Sequence, residues 1–189
     1  VYVIDADPAS AEYHRMIQAA SVGPAPSGLR GIAVDADDSR VYVAAPNSVM
    51  FGRPGYHAAG YIFAFRVLPE GAAIHGPLEF QAAYTAANEP YGVSASMEPG
   101  QIVFVNRQTD GSGFGALDGY VTRFADLILG LVTDAFDVNN AIGVVVLPDN
   151  SYAFVTAFNQ FIQDLPSHDP NIRPFTAGGN IGIIEDPFG

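Results

Sequence analysis

Lysine is absent from this 189-residue chain, and eight arginines and four histidines face twenty acidic residues. The side chains able to do polar chemistry are therefore few enough to weigh singly. Those best placed to contact a ligand are Asn47, His57, Asn106, Arg107, Asn159, His168 and Asp169. They lie in or at the mouths of three long connections, Pro46–Ala59, Gln108–Asp118 and Gln160–Gly179. Long connections on a rigid scaffold are where binding and catalysis concentrate. The bland role is also open. Asparagine closes turns by bonding its side chain to nearby backbone, and a loop histidine is commonly just solvated. Asn159, His57, His168 and Asp169 are the least poor metal ligands, but no pair of histidines has the spacing of a metal motif. Asp35, Asp37 and Asp38 lack the alternating oxygens, central glycine and terminal glutamate of a calcium loop, so they read as turn residues. Asp5, Asp7, Glu185 and Asp186, near Pro8 and Pro187, read likewise. There is no Gly-x-Ser-x-Gly elbow, and Gly111–Gly115 lies between strands, where it cannot open a helix to cradle phosphate. With no cysteine, disulfides, thiolate nucleophiles, covalent haem and cysteine-held zinc are excluded. No catalytic residue is assigned and no cofactor is expected.

The elements that must position these residues come from an internal repeat. Gly31–Ala45 reads GIAVDADDSRVYVAA, Gly92–Arg107 reads GVSASMEPGQIVFVNR, and Gly143–Ala157 reads GVVVLPDNSYAFVTA. Each has a glycine, an apolar run, a turn (Asp37-Asp38, Pro99-Gly100, Asp149-Asn150) and a second run with an aromatic residue before valine (Tyr42, Phe104, Phe154). That pattern predicts β-hairpins. Asn47 and Asn159 occupy matching positions after the hairpin, and Asn106 lies two residues earlier. A third strand recurs as Gly60-YIFAFRV, Gly119-YVTRFAD and Asn180-IGIIEDP, and the opening VYVIDADP has the same look. A fourth, more polar strand is expected at Glu12–Ala20, Glu79–Ala86 and Leu131–Asp137. The innermost strands, such as Ile142–Leu147, are nearly continuous apolar runs, which suits burial on both faces. No helix-period stretch of useful length competes.

Four antiparallel strands per unit, with the leading glycines at 31, 92 and 143, is the pattern of β-propeller blades with enlarged loops. PSGLRGIAVDADDSRVYVAA and AIGVVVLPDNSYAFVTAFN resemble the repeats of the YVTN family of propellers. The family's tetrapeptide reads here as Tyr42-Val-Ala-Ala, Phe104-Val-Asn-Arg and Phe154-Val-Thr-Ala. The closing stretch from Phe158 resembles repeats embedded in very large bacterial secreted or surface proteins. The resemblance implies an all-β fold of about three blades within one domain spanning 1–189: a half blade over 1–28, blades over 29–88 and 89–140, and an incomplete one over 141–189. It implies an extracellular or cell-surface location.

Thirteen expected strands make slightly more than three blades, and closed propellers usually have about four to eight. The uncovered blade faces would then be completed by the remaining blades of a larger protein, or by other copies of the chain. No signal peptide or membrane-spanning run is visible, and Val1 and Gly189 fall inside the repeat pattern, so the sequence reads as part of something longer. A net charge of −12 repels phosphate backbones and anionic headgroups, so neither nucleic acid nor membrane insertion is expected. The reading that follows is a non-catalytic binding or structural module presenting its long loops to a protein or glycan. A metal-assisted, lactonase-like hydrolase with its site at the channel and a self-assembling surface-layer or filament component are the alternatives.

Overall fold

The computed structural model describes residues 1–22, 28–48, 59–69, 76–86, 90–106, 115–123, 128–138, 141–157 and 180–188. Within them the fold is all-β, with thirteen strands and no helix. Sheet I pairs β1 (Tyr2–Ile4) with β2 (Met16–Ala19). Sheet II runs in order through β3 (Ile32–Val34), β4 (Arg40–Ser48), β5 (Ala59–Val67) and β6 (Leu78–Ala86). Sheet III holds β7 (Pro90–Ala95), β8 (Gln101–Asn106), β9 (Gly115–Arg123) and β10 (Ile128–Val138), and sheet IV holds β11 (Ala141–Val146), β12 (Tyr152–Ala157) and β13 (Asn180–Glu185). Every pairing joins sequence neighbours in antiparallel sense.

Local chemistry explains the hairpins. Each repeat turns through four residues, closed by Asp35 N–H to Arg40 C=O, Ser96 N–H to Gln101 C=O and Leu147 N–H to Tyr152 C=O, each 2.9 Å. A left-handed residue sits in each turn: Asp38 (φ 57°), Gly100 (φ 85°) and Asn150 (φ 59°). Asp, Asn and Gly are the residues that tolerate that region. Several boundaries differ from the sequence pattern: β4 runs on to Ser48, into the connection expected from Pro46, and β10 begins at Ile128, before Leu131. β9 begins at Gly115, so the connection before it is shorter than Gln108–Asp118. β2 begins only at Met16, because Asp5 and Asp7 accept from the N–H groups of Asp7 (2.8 Å) and Ala9 (2.9 Å) and hold the preceding segment in turns.

The sheets pack in chain order, I on II, II on III and III on IV, and no closed ring is found among the described residues. Alternation along each strand supplies the two faces. In sheet II, Val41, Val43, Ala45, Tyr61, Phe63 and Phe65 face sheet I, while Tyr42, Ala44, Ile62 and Ala64 face sheet III. In sheet III, Ile102 and Phe104 meet sheet II, and Val103 and Val105 meet Val146, Ala153, Val155 and Ile184 of sheet IV. Each of these large apolar side chains contributes roughly 1.5–3 kcal/mol by burial. The hairpins superpose residue for residue from their leading glycines, through the pairs Ile32↔Val43, Val93↔Phe104 and Val144↔Val155. Phe104 therefore takes the place of Val43 and Val155, one position beyond Tyr42 and Phe154 and on the opposite face.

Innermost strands are not uniformly buried. In β7, between two sheets, Pro90, Gly92 and Val93 are buried. In β11, Val145 is 55% exposed, and in β3, Ile32 and Val34 are 57% and 51% exposed. These residues face the sides on which no neighbouring inner strand lies, so the expectation of two-sided burial holds only for the middle sheet.

A side chain-to-backbone bond crosses each seam. The Gln18 amide both donates to Leu78 C=O and accepts from Leu78 N–H, each at 2.7 Å, tying sheet I to sheet II. Asp35 ties II to III through Gly100 N–H. Asn150 accepts from Met97 N–H (3.2 Å) and Ser94 from Val146 N–H (3.1 Å) between III and IV. Replacing Gln18 with Ala removes both partners of Leu78 at once; a loss of about 2 kcal/mol is expected in urea denaturation, without change in the far-ultraviolet spectrum of the remaining strands.

Candidate functional site

The inner strands β3, β7 and β11 converge along their leading glycines. A Cβ on Gly31 would lie 2.6 Å from Tyr91 O and 2.9 Å from Gly92 Cα, and one on Gly92 would lie 2.9 Å from Gly143 Cα and 3.0 Å from Ile142 O. Glycine is required here so that one backbone can approach the next. Gly31 N–H also donates to Tyr91 C=O at 2.6 Å, a backbone bond between two sheets. The residue before each glycine, Arg30, Tyr91 and Ile142, thus stands at one end of the converging strands.

That end is also the one from which the connections between second and third strands depart. Gly31 C=O accepts from Ala44 N–H, Pro90 pairs with Asn106, and Ala141 pairs with Ala157. Of the residues expected from sequence to contact a ligand, Asn47 lies within β4 and Asn106 closes β8, so the backbone brings both to this end. His57, Arg107, Asn159, His168 and Asp169 lie outside the described residues.

Arg30 is exposed, and its guanidinium lies over the Tyr91 ring, 5.2 Å from the centroid. Sequence reasoning passed over both residues. Their signal is positional, each preceding the glycine that starts a repeat, and it becomes legible only once the glycines are known to touch.

Asp35, read from sequence as a turn residue, is 2% exposed and does more than turn the chain. Its carboxylate accepts from Gly100 N–H with both oxygens at 3.0 Å, from Ala36 N–H at 3.1 Å and from Tyr42 Oη–H at 3.3 Å, and lies 3.5 Å from Arg40 Nη1. A carboxylate so fully engaged holds two sheets together. Sheet III has Ser96 in the corresponding place, also buried, accepting from Glu98 N–H at 2.8 Å.

The exposed turn aspartates behave as the sequence reading expects. The Ser39 hydroxyl, and with it the Ser39 N–H, holds the Asp37 carboxyl below its ordinary value; Ser151 does the same for Asp149 and Ser10 for Asp5. A depressed carboxylate pKa supports the fold above the ordinary carboxylate range, and the support disappears as pH falls through the lowered value. The double replacement Ser39→Ala, Ser151→Ala should move both carboxyl pKa values up toward 3.8, as read by NMR titration.

Among the described residues there is no group of three or more His, Asp or Glu side chains arranged to hold a metal ion. No helix in them is long and apolar enough to cross a membrane. Compared with known proteins, the chain matches no family model, no curated protein and no solved structure.

Proposed function

We propose that this chain is a non-catalytic β-propeller module of the YVTN type within a larger extracellular or cell-surface protein, offering the end that carries its long connections to a protein or glycan. The observation that carries this reading is the pair of uncovered apolar faces at the two ends of the sheet series. On sheet I, Tyr2, Ile4 and Met16 are 73%, 58% and 59% exposed. On sheet IV, Val145, Tyr152 and Ile181 are 55%, 37% and 52% exposed. Contiguous apolar surface of this kind marks an interaction site. The faces are also of opposite kinds: sheet IV leaves open the side by which II packs on III, and sheet I the side by which III packs on II. Further blades of the same repeat fit both, and with them the glycine approach at 31 and 92 would continue at 143.

The same faces favour self-assembly as a second reading, with copies stacking head to tail. Intact and native mass of the protein from its source separates the two. A polypeptide well above 19.9 kDa supports further blades in the same chain. A 19.9 kDa chain with a native mass that is a multiple of it supports assembly between copies. A stable 19.9 kDa monomer defeats both.

A further inference from the structure

We infer that Arg30, seated on Tyr91, is a receptor for a single carboxylate, of the kind carried by a terminal acidic sugar. The inference rests on the reading of this end as the ligand-facing side of a binding module, and it names the ligand's chemistry. Among the described residues Arg15 pairs with Glu12, Arg40 with Asp35 and Arg66 with Glu79. Arg30 makes no ion pair among them, in a chain where acidic residues outnumber arginines twenty to eight. Its contact is the Tyr91 ring instead.

That geometry suits an anion. The ring contact uses the charge of the guanidinium and none of its hydrogen bonds, leaving N–H donors for the fork that matches the two oxygens of a carboxylate. The base of the side chain is fixed: Arg30 N–H donates to Ala44 C=O at 2.8 Å, and the neighbouring Gly31 is bonded to Tyr91. A Cβ built on Gly28, which is in left-handed backbone (φ 74°), would stand 3.8 Å from Arg30 Nη1, so Gly28 packs beside the guanidinium without crowding it. The surrounding charge sets the valence. A chain of net charge −12 repels a polyanion along its whole length, but a ligand with one carboxylate meets the one guanidinium and little more. Ile142, 36% exposed at the equivalent place in the repeat after that of Tyr91, offers apolar surface for the C–H face of a sugar ring.

The test is a titration of the full chain with glucuronate, with its uncharged methyl ester, with heparin and with a short acidic peptide, followed by NMR at the Arg30 Nε–H and the Tyr91 ring. Glucuronate is expected to shift both signals, and the ester and heparin to bind at least tenfold more weakly. Arg30→Gln should weaken glucuronate at least tenfold. Arg30→Lys, which keeps the charge and loses the fork, and Tyr91→Leu, which removes the seat, should each weaken it severalfold. Equal binding of acid and ester, or an Arg30→Gln protein that binds as well as the original, overturns the inference. Preference for the acidic peptide overturns the sugar assignment. If neutral sugars bind at this end regardless of Arg30, the carboxylate assignment falls while the binding module stands; if neither sugar nor peptide binds there, both fall.

Discussion

Gly92→Ala is expected to destabilise the protein by about 3 kcal/mol, whereas the same change at Gly143 should cost about 1 kcal/mol or less. The two glycines hold the same place in successive repeats. The added methyl meets different things. At position 92 it would collide with backbone: Gly143 Cα at 2.9 Å, and Ile142 O and Val144 N at 3.0 Å. Backbone on an interior strand cannot step aside without breaking the β7–β8 pairing or the III–IV seam. At position 143 the close atom is the Thr156 hydroxyl at 2.7 Å, the end of a side chain that can rotate. Urea denaturation of the two variants side by side gives the comparison. If both lose the same amount, the difference between a covered and an open inner strand has no energetic weight, and the case for a further sheet against β11 weakens with it.

Asp35→Ala should be the other severe change, at about 3 kcal/mol. It removes the acceptor shared by Gly100 N–H, Ala36 N–H and Tyr42 Oη–H, and leaves Arg40 without its carboxylate partner at a half-buried position. Asp35→Asn keeps one oxygen but replaces the other with a donor, which faces Gly100 N–H in either orientation of the amide and Ala36 N–H in one of them. An intermediate loss of about 1–2 kcal/mol follows. Hydrogen exchange at Gly100 provides a local readout: its amide should exchange faster in both variants, more so in Asp35→Ala, while Met97, held across the next seam by Asn150, should change less. Unchanged protection at Gly100 would mean that the bond across the seam contributes nothing to holding sheet III.

Much of the strand pattern was legible in the sequence because the signals are local. A turn that needs a left-handed residue shows as Asp-Asp, Pro-Gly or Asp-Asn, and an antiparallel partner follows within a few residues; the hairpins β3–β4, β7–β8 and β11–β12 needed nothing more. Boundaries set by side chain-to-backbone bonds, as at Asp5 and Asp7 before β2, were less visible, since the competition between turn and strand there is decided by a few hydrogen bonds. Face assignment was the harder matter. Taking Tyr42, Phe104 and Phe154 as equivalent follows residue type; the pairing Val93↔Phe104 shows that position, counted from the glycine, decides. The roles of Asp35 and Arg30 depend on partners 65 and 61 residues away, which no local pattern reveals. Of the ligand-contact residues named from sequence, Asn47 and Asn106 are the two among the described residues, and Asn47, read as part of the connection that begins at Pro46, lies within β4.

The displacement of Phe104 by one position has a consequence for how such a chain can change over time. On a strand with one wet face, moving a bulky ring to the adjacent residue turns it into solvent and is selected against. A strand clasped between two sheets has no wrong side: Tyr42 projects forward from sheet II, Phe104 backward from sheet III, and both rings enter the same seam. Adjacent residues in β4, β8 and their counterparts can therefore trade identities as long as the seam as a whole stays filled. Sequence drift of this sort scrambles the aromatic register from one repeat to the next while sparing the glycines, whose neighbours are backbone and offer no such exchange.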